Sequence, residues 1–186
     1  MTQTTQREEK AIVLDFLPNG YPFDKTPSHK KTAIAQAIGT TKFTLLELVP
    51  KKYVHLMPHQ EVYIGEGKRE EIHHINGKIP LSKLTGNARM EAEFIVNEIV
   101  TNDETRFVDF FNNSQALSMR MHQLELLPGL GKKHMWEIID ERKGDPFKSF
   151  QDLKERVKLI PDPKKLVIKR IMKELEGTEK YKLFAD

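Results

Sequence analysis

Residues 124–133 read Leu124-Glu125-Leu126-Leu127-Pro128-Gly129-Leu130-Gly131-Lys132-Lys133. Before them, Leu117, Met121, Leu124 and Leu127 recur at helical spacing, and after them Met135, Ile138 and Ile139 do so again. A helix therefore runs into a Gly-Leu-Gly turn, and a second helix starts at once. Two helices joined so tightly need backbone torsions that glycine visits freely, which Gly129 and Gly131 are expected to supply. Leu130 between them turns inward and pins the pair. The second helix opens with N–H groups that lack acceptors and with the positive end of its dipole. A phosphate oxygen suits that position, and Lys132 and Lys133 add charge beside it.

The run Leu124 to Ile139 resembles the helix-hairpin-helix motif of sequence-nonspecific nucleic-acid-binding proteins. It departs from the pattern at Met135, where a small residue is usual. The resemblance implies that Gly129, Leu130 and Gly131 offer backbone N–H groups to a phosphate. Lys132, Lys133 and His134 then stand beside it. Trp136 reads as a packing anchor of the second helix.

The next segment extends the pattern. Ser149-Phe150-Gln151-Asp152 resembles a capping box with Asp in place of Glu. The second hairpin reads Val157-Lys158-Leu159-Ile160-Pro161-Asp162-Pro163-Lys164-Lys165, without glycine and with a turn expected to be one residue shorter. It is a degenerate copy that completes a helical core. Lys164 and Lys165, with Lys169 and Arg170, remain secondary phosphate contacts. Asp162-Pro163 is an N-cap followed by proline at the first helical position, and Gly177 closes that helix.

Upstream the texture is that of strands. Ala11–Leu17, Ile34–Ile38, Phe43–Val49 and Glu61–Ile64 are short apolar or alternating runs, and Ile72–Ile79 is a fifth with Asn76-Gly77 read as a turn. Such strands in about 80 residues suggest a small barrel, with a sandwich as the alternative. The barrel resembles the oligonucleotide/oligosaccharide-binding fold, which takes single strands across one face. Its candidate contacts are Lys51, Lys52, Tyr53, Lys68 and Arg69, with Tyr63 as a further stacking surface.

The whole order resembles an archaeal family of uncharacterised proteins regarded as nucleic-acid-binding, whose members join a small barrel to a helix-hairpin-helix domain. Val13 to Gly20 and Leu126 to Trp136 carry the likeness. The expected fold class is α+β: an N-terminal OB-like β-barrel, then an all-α tandem helix-hairpin-helix domain. The barrel is expected over 11–80 and the helical domain over 81–177. Its hairpins fall at 117–143 and 150–176. Residues 1–10 and 178–186 are read as flexible tails.

Composition narrows the function. Of 186 residues, 38% are hydrophobic and 31% charged, with no cysteine, which excludes disulfides, thiolate zinc sites and a cysteine nucleophile. No apolar run approaches the roughly 20 residues of a membrane span, and no signal peptide is visible, so a cytoplasmic location without membrane contact is expected. Net charge is +3 over 1–86, −4 over 87–116 and +4 over 117–186, so an acidic middle parts two basic ends. His73 and His74 are adjacent and are expected to point to opposite faces of a strand. Pro58 argues against a helix joining His55 to His59, so no metal is expected. No phosphate-binding or nucleophile-elbow motif occurs, and no cofactor is expected. The leading expectation is thus a non-enzymatic RNA- or DNA-binding protein. A protein-interaction module built on Glu91–Asp109 with Phe107, Phe110 and Phe111 is the alternative. A nucleic-acid-processing enzyme, with Asp140 and Lys143 only nominal candidates, is the third. No protein partner is identified by the sequence.

Overall fold

Five strands hydrogen-bond antiparallel in the order β4-β1-β2-β3-β5: β1 (Lys10–Leu17), β2 (Ile34–Gly39), β3 (Leu45–Pro50), β4 (Glu61–Tyr63) and β5 (Ile72–Lys78). The computed structural model describes residues 7–186. The sheet curls into a half-barrel, and with five helices makes a mixed α+β chain. Curling follows from the residues. Ala11, Ala35 and Ala37 put small side chains on the inner face of the central strands, and Leu46, Leu48, Val62, Ile64 and Ile72 fill the space from both sides. A bulge in β1 between Val13 and Asp15 adds twist at the bend.

Two compact units divide the chain. The first takes the residues up to Ile95 together with Glu174–Asp186, and the second takes Val96–Lys173. The opening turns of α1 (Gly86–Asn102) and the stretch from Glu174 therefore group with the strands.

Residues expected to be tails are built into the first unit. The Glu8 carboxylate accepts the amides of Thr41 (2.9 Å), Lys42 (2.7 Å) and Thr44 (3.4 Å) at the β2–β3 hairpin. Gly39 makes room for it, because a Cβ there would fall 2.1 Å from the Glu8 carboxyl group. Residues 1–6 lie outside the described residues. At the other end, the buried Glu174 carboxylate accepts the amides of Leu183, Phe184 and Ala185 at 2.7–2.9 Å. Residues 183–186 are thus docked, the Asp186 amide donating to the Lys42 carbonyl (2.9 Å). Short polar sequences read as frayed because their partners are distant in the chain.

Asn76-Gly77 is a bulge inside β5 and not a turn. Glu47 pairs with Gly77 while Leu48 pairs with Ile75, and Gly77 holds φ +143. A second register shift leaves His73 as the extra residue opposite Val49 and Pro50. The two imidazoles consequently meet, Nδ1 to Nδ1 at 2.7 Å, where regular alternation had put them on opposite faces.

The outer face of the sheet carries a buried polar row. Asp15, Gln36 and Glu47 are in register across β1, β2 and β3. The Tyr21 hydroxyl donates to Glu47 Oε2 (2.5 Å), Asn76 donates to Glu47 Oε1 (2.8 Å), and Lys83 Nζ lies 3.2 Å from the same carboxylate. Gln36 donates to Tyr21 and to the Lys83 carbonyl, and Thr85 donates to Asp15 and to Gln36. Burial, reinforced by the Glu47 hydrogen bond, pushes the Tyr21 phenol up to about 12. Burial also pushes the Glu47 carboxyl up, but the bonds from Tyr21, Asn76 and Lys83 outweigh it and hold the group below the usual carboxylate range.

The second unit is helical: α2 (Glu104–Asn113), α3 (Lys132–Gly144), α4 (Phe150–Arg156) and most of α5 (Pro163–Leu175). Phe107, Phe111, Leu124, Leu153 and Val167 form its interior. Phe107 and Phe111 are therefore not available as a partner-facing surface. The helix expected from Leu117 is absent. In its place stand a two-stranded ladder, β6 (Ala116–Ser118) with β7 (Met121–His122), and a 3₁₀ turn at Gln123–Leu126. The spacing of Leu117, Met121 and Leu124 imitates a helix, but tertiary bonds override it. Gln123 and Gln115 exchange hydrogen bonds, and the Arg142 guanidinium donates to the Ser114 carbonyl and hydroxyl.

Candidate functional site

The Gly129 turn is built from three inward leucines. Leu124, Leu127 and Leu130 are buried, the Leu127 amide donates to the Leu124 carbonyl (3.2 Å), and the Leu130 amide donates to the Leu127 carbonyl (3.1 Å). The Leu130 N–H is thereby engaged and drops out of the expected phosphate contacts. Gly129 adopts φ +95, the left-handed region that favours glycine, and is exposed. Gly131 does not: its φ is −82, and a Cβ on it would meet nothing within 4 Å. One glycine serves the backbone, while the other serves open space.

α3 starts at Gly131 without a side-chain cap. Among the described residues, no acceptor takes the amides of Gly129, Gly131, Lys132 and Lys133. α2 also starts without a side-chain cap, behind Asp103 and with the acidic Glu104 in its first turn, whereas α4 and α5 are closed by their own side chains. Ser149 Oγ accepts from Asp152 (2.9 Å), with the reciprocal bond coming from the Lys148 amide to Asp152 (3.0 Å), one residue earlier than a regular capping box. Asp162 Oδ1 accepts from Lys164 (3.1 Å) and Lys165 (3.4 Å). An uncapped helix start flanked by cations accepts an anionic oxygen. Lys132 and Lys133 are exposed, with Glu125 Oε1 3.9 Å from the Lys132 ammonium, and His134 is half-buried. Trp136 is 59% exposed, so it is no packing anchor.

A second copy of this turn follows. The Ile160 amide donates to the Val157 carbonyl (3.4 Å), as Leu130 does to Leu127, and Ile160 is buried like Leu130. Leu159 takes the place of Gly129, at φ +61. The spacing equals that of the first copy, so the turn is not shorter. The helix simply begins one residue later, behind Pro161 and the Asp162 cap. Lys164 is half-buried and Lys165 exposed, with their amides held by Asp162. Arg170 is buried and donates to the Leu126 carbonyl (3.2 Å), which ties α5 to the residues leading into the first turn and removes it from the surface cations.

The strand-unit candidates separate in the same way. The Lys51 ammonium donates to the Arg69 carbonyl, and its amide donates to Glu71 (2.7 Å), so Lys51 ties two loops together. Arg69 Nε donates to the Gly65 carbonyl (2.8 Å). The Tyr63 hydroxyl accepts from Gly67, and its ring occupies the space a Cβ on Gly65 would need. Lys68, paired loosely with Glu70 (3.7 Å), Lys52 and Tyr53 stay exposed, with the Lys52 ammonium 5.0 Å from the Tyr53 ring.

Of the remaining ionisable residues, His59 pairs with Glu91 (2.5 Å) and His55 packs edge-on against Phe16. Lys143 and Asp140 form an exposed pair at 2.8 Å on one helix face. Among the described residues no group of three or more His, Asp or Glu is placed to hold a metal ion, and no helix is long and apolar enough to cross a membrane.

Comparison with known proteins places this geometry among relatives. A family model described as a protein of unknown function (DUF655) matches residues 7–186. Uncharacterized protein MJ0038 of Methanocaldococcus jannaschii is 42% identical over 177 residues, covering 95% of this chain and 78% of that protein. The crystal structure of Af1531 from Archaeoglobus fulgidus, described with the same family model, superposes with a TM-score of 0.87 at 45% identity, over 96% of this chain and 100% of that one.

Proposed function

This chain belongs to the DUF655 family, and from that premise we propose that it is a non-enzymatic protein that binds the sugar-phosphate backbone of RNA or DNA. The observation carrying this reading is the uncapped start of α3. The amides of Gly129, Gly131, Lys132 and Lys133 have no acceptor among the described residues, they sit beside exposed cations, and no side chain at Gly129 or Gly131 hinders approach. Two copies of one turn, Gly129 and Leu159, support reading the second unit as tandem helix-hairpin-helix motifs, the first presenting amides and the second capped by Asp162. The strand order β4-β1-β2-β3-β5 supports an OB-like reading of the first unit. Lys52, Tyr53 and Lys68 are its exposed contacts, and Trp136 stands as a stacking surface one turn into α3. Backbone contacts read no base edges, so sequence preference is low.

The test is Gly131→Val. Its φ and the empty space around it admit a β-branched side chain without strain, while the added methyls stand where the backbone would approach. The variant is expected to melt with the parent and to bind a uridine oligonucleotide and duplex DNA about ten-fold more weakly or worse, the equivalent of losing one good polar contact. Unchanged binding by the folded variant would remove the turn from the site.

A further inference from the structure

At the rim of the half-barrel lies a cleft of about 630 Å³. Its floor is apolar, with Leu46, Ile64, Ile75 and the Tyr63 ring among the lining residues. Two lysines that are distant in sequence, Lys42 at the β2–β3 hairpin and Lys78 at the end of β5, converge on a single atom there. Lys78 Nζ lies 3.3 Å and Lys42 Nζ 4.0 Å from the same oxygen, Oδ2 of Asp186. The Asp186 amide donates to the Lys42 carbonyl (2.9 Å), which anchors its backbone at the hairpin and within reach of both ammonium groups. Behind it, the three amide bonds to Glu174 hold residues 183–185. Of the other carboxylates that line the cleft, Glu8 is engaged by the hairpin amides and Glu66 by Arg7 at 3.2 Å, while Glu9 is exposed.

We propose that this cleft is a phosphate-oxygen site, and that Asp186 is its internal occupant, displaced when a nucleotide or nucleic-acid phosphate takes its place between Lys42 and Lys78. Two ammonium groups aimed at one anionic oxygen match a phosphoryl oxygen as well as they match a carboxylate. The apolar floor beside them accepts the flat, weakly polar part of a nucleoside. The site lies in the strand unit and does not depend on the Gly129 turn. A ligand must displace Asp186 first, so the resting affinity is lowered by the share of molecules in which the carboxylate is in place.

The experiment titrates the isotope-labelled full chain with adenosine 5′-monophosphate and with adenosine at low ionic strength, following backbone amide signals. The monophosphate is expected to move Lys42, Thr44, Lys78 and Asp186, and adenosine to leave them in place. Asp186→Asn is expected to tighten monophosphate binding by about two- to five-fold, the scale of one exposed ion pair. Adding Lys42→Ala and Lys78→Ala is expected to cancel that gain. Oligonucleotides with and without a 5′-phosphate then separate the two phosphate sources, since a preference for the phosphorylated form marks a terminal group and equal binding marks the backbone. Equal shifts from adenosine and its monophosphate, shifts confined to Gly129–His134, or an Asp186→Asn protein that binds no tighter than its parent would overturn the proposal. Gly131→Val leaves this site unchanged, so failure of the turn and failure of the cleft read out separately.

Discussion

Gly129 and Leu159 occupy the same place in two copies of one turn, at φ +95 and φ +61. Only one of them is a residue suited to that torsion. Leu159 is 91% exposed, so its side chain offsets none of the strain by burial. Leu159→Gly is therefore expected to stabilise the protein by up to about 1 kcal/mol, and Gly129→Ala to destabilise it by about 1–2 kcal/mol. Urea midpoints at constant m-value check both, and shifts of the same sign for the two variants would sink the equivalence.

Lys132 and Lys133 are placed as phosphate contacts of α3, and each is expected to release counterions on binding. The double variant Lys132→Ala/Lys133→Ala should lower the slope of log K against log salt by about 1.4 for a single strand and about 1.8 for a duplex. Fluorescence anisotropy across a salt series measures it. An unaltered slope would assign those cations to solvent.

Tyr21 makes the fold sensitive to alkali. Its phenol titrates near 10 in an unfolded chain and at about 12 in the folded one, so the folded state keeps the proton longer. The stabilisation is complete below pH of about 10 and is lost as pH rises towards about 12. After discounting for partial exposure, a loss of about 1–2 kcal/mol is expected over that window. Glu47 gives the acid limb. Its folded pKa is depressed, so its contribution is present above the unfolded value of about 4.3 and fades as pH falls through the lower folded value. Denaturation midpoints against pH test both limbs, and Tyr21→Phe should flatten the alkaline one.

Glu8→Ala leaves the amides of Thr41 and Lys42 without their carboxylate and should cost about 1–3 kcal/mol. Gly39→Ala should mimic it, because a methyl there and the Glu8 carboxyl cannot both fit. Thermal melts and hydrogen exchange at the β2–β3 hairpin follow the effect. A Glu8→Ala protein as stable as its parent would return residues 7–9 to the status of a loose arm.

Much of the architecture is legible in residue order. The apolar strands from Ala11 to Lys78 are bounded by proline and glycine, and the helices over 86–102, 132–144, 150–156 and 163–175 carry their own periodicity or caps. What escapes the sequence is decided between distant residues. The helix read at Leu117 yields to Arg142 and Gln123, which hold the backbone around Ser114. Gly129 is recognisable as a turn residue, yet nothing local tells that Gly131 keeps an ordinary torsion or that the Leu130 amide is already bonded. Lys51 looks like any surface cation until its bond to the Arg69 carbonyl is seen. The meeting of Lys42, Lys78 and Asp186 leaves no trace in spacing, because hairpin, strand end and docked segment are joined only by folding.

The guanidinium of Arg170 rests on a carbonyl 44 residues upstream, immediately before the first turn begins its reversal. α5, the helix that opens behind the second bend, is therefore tied to the approach of the first: a wobble in α5 is felt at Leu126. Anything that clamps the glycine end will stiffen the leucine end as well, as a keystone set in one arch steadies its neighbour.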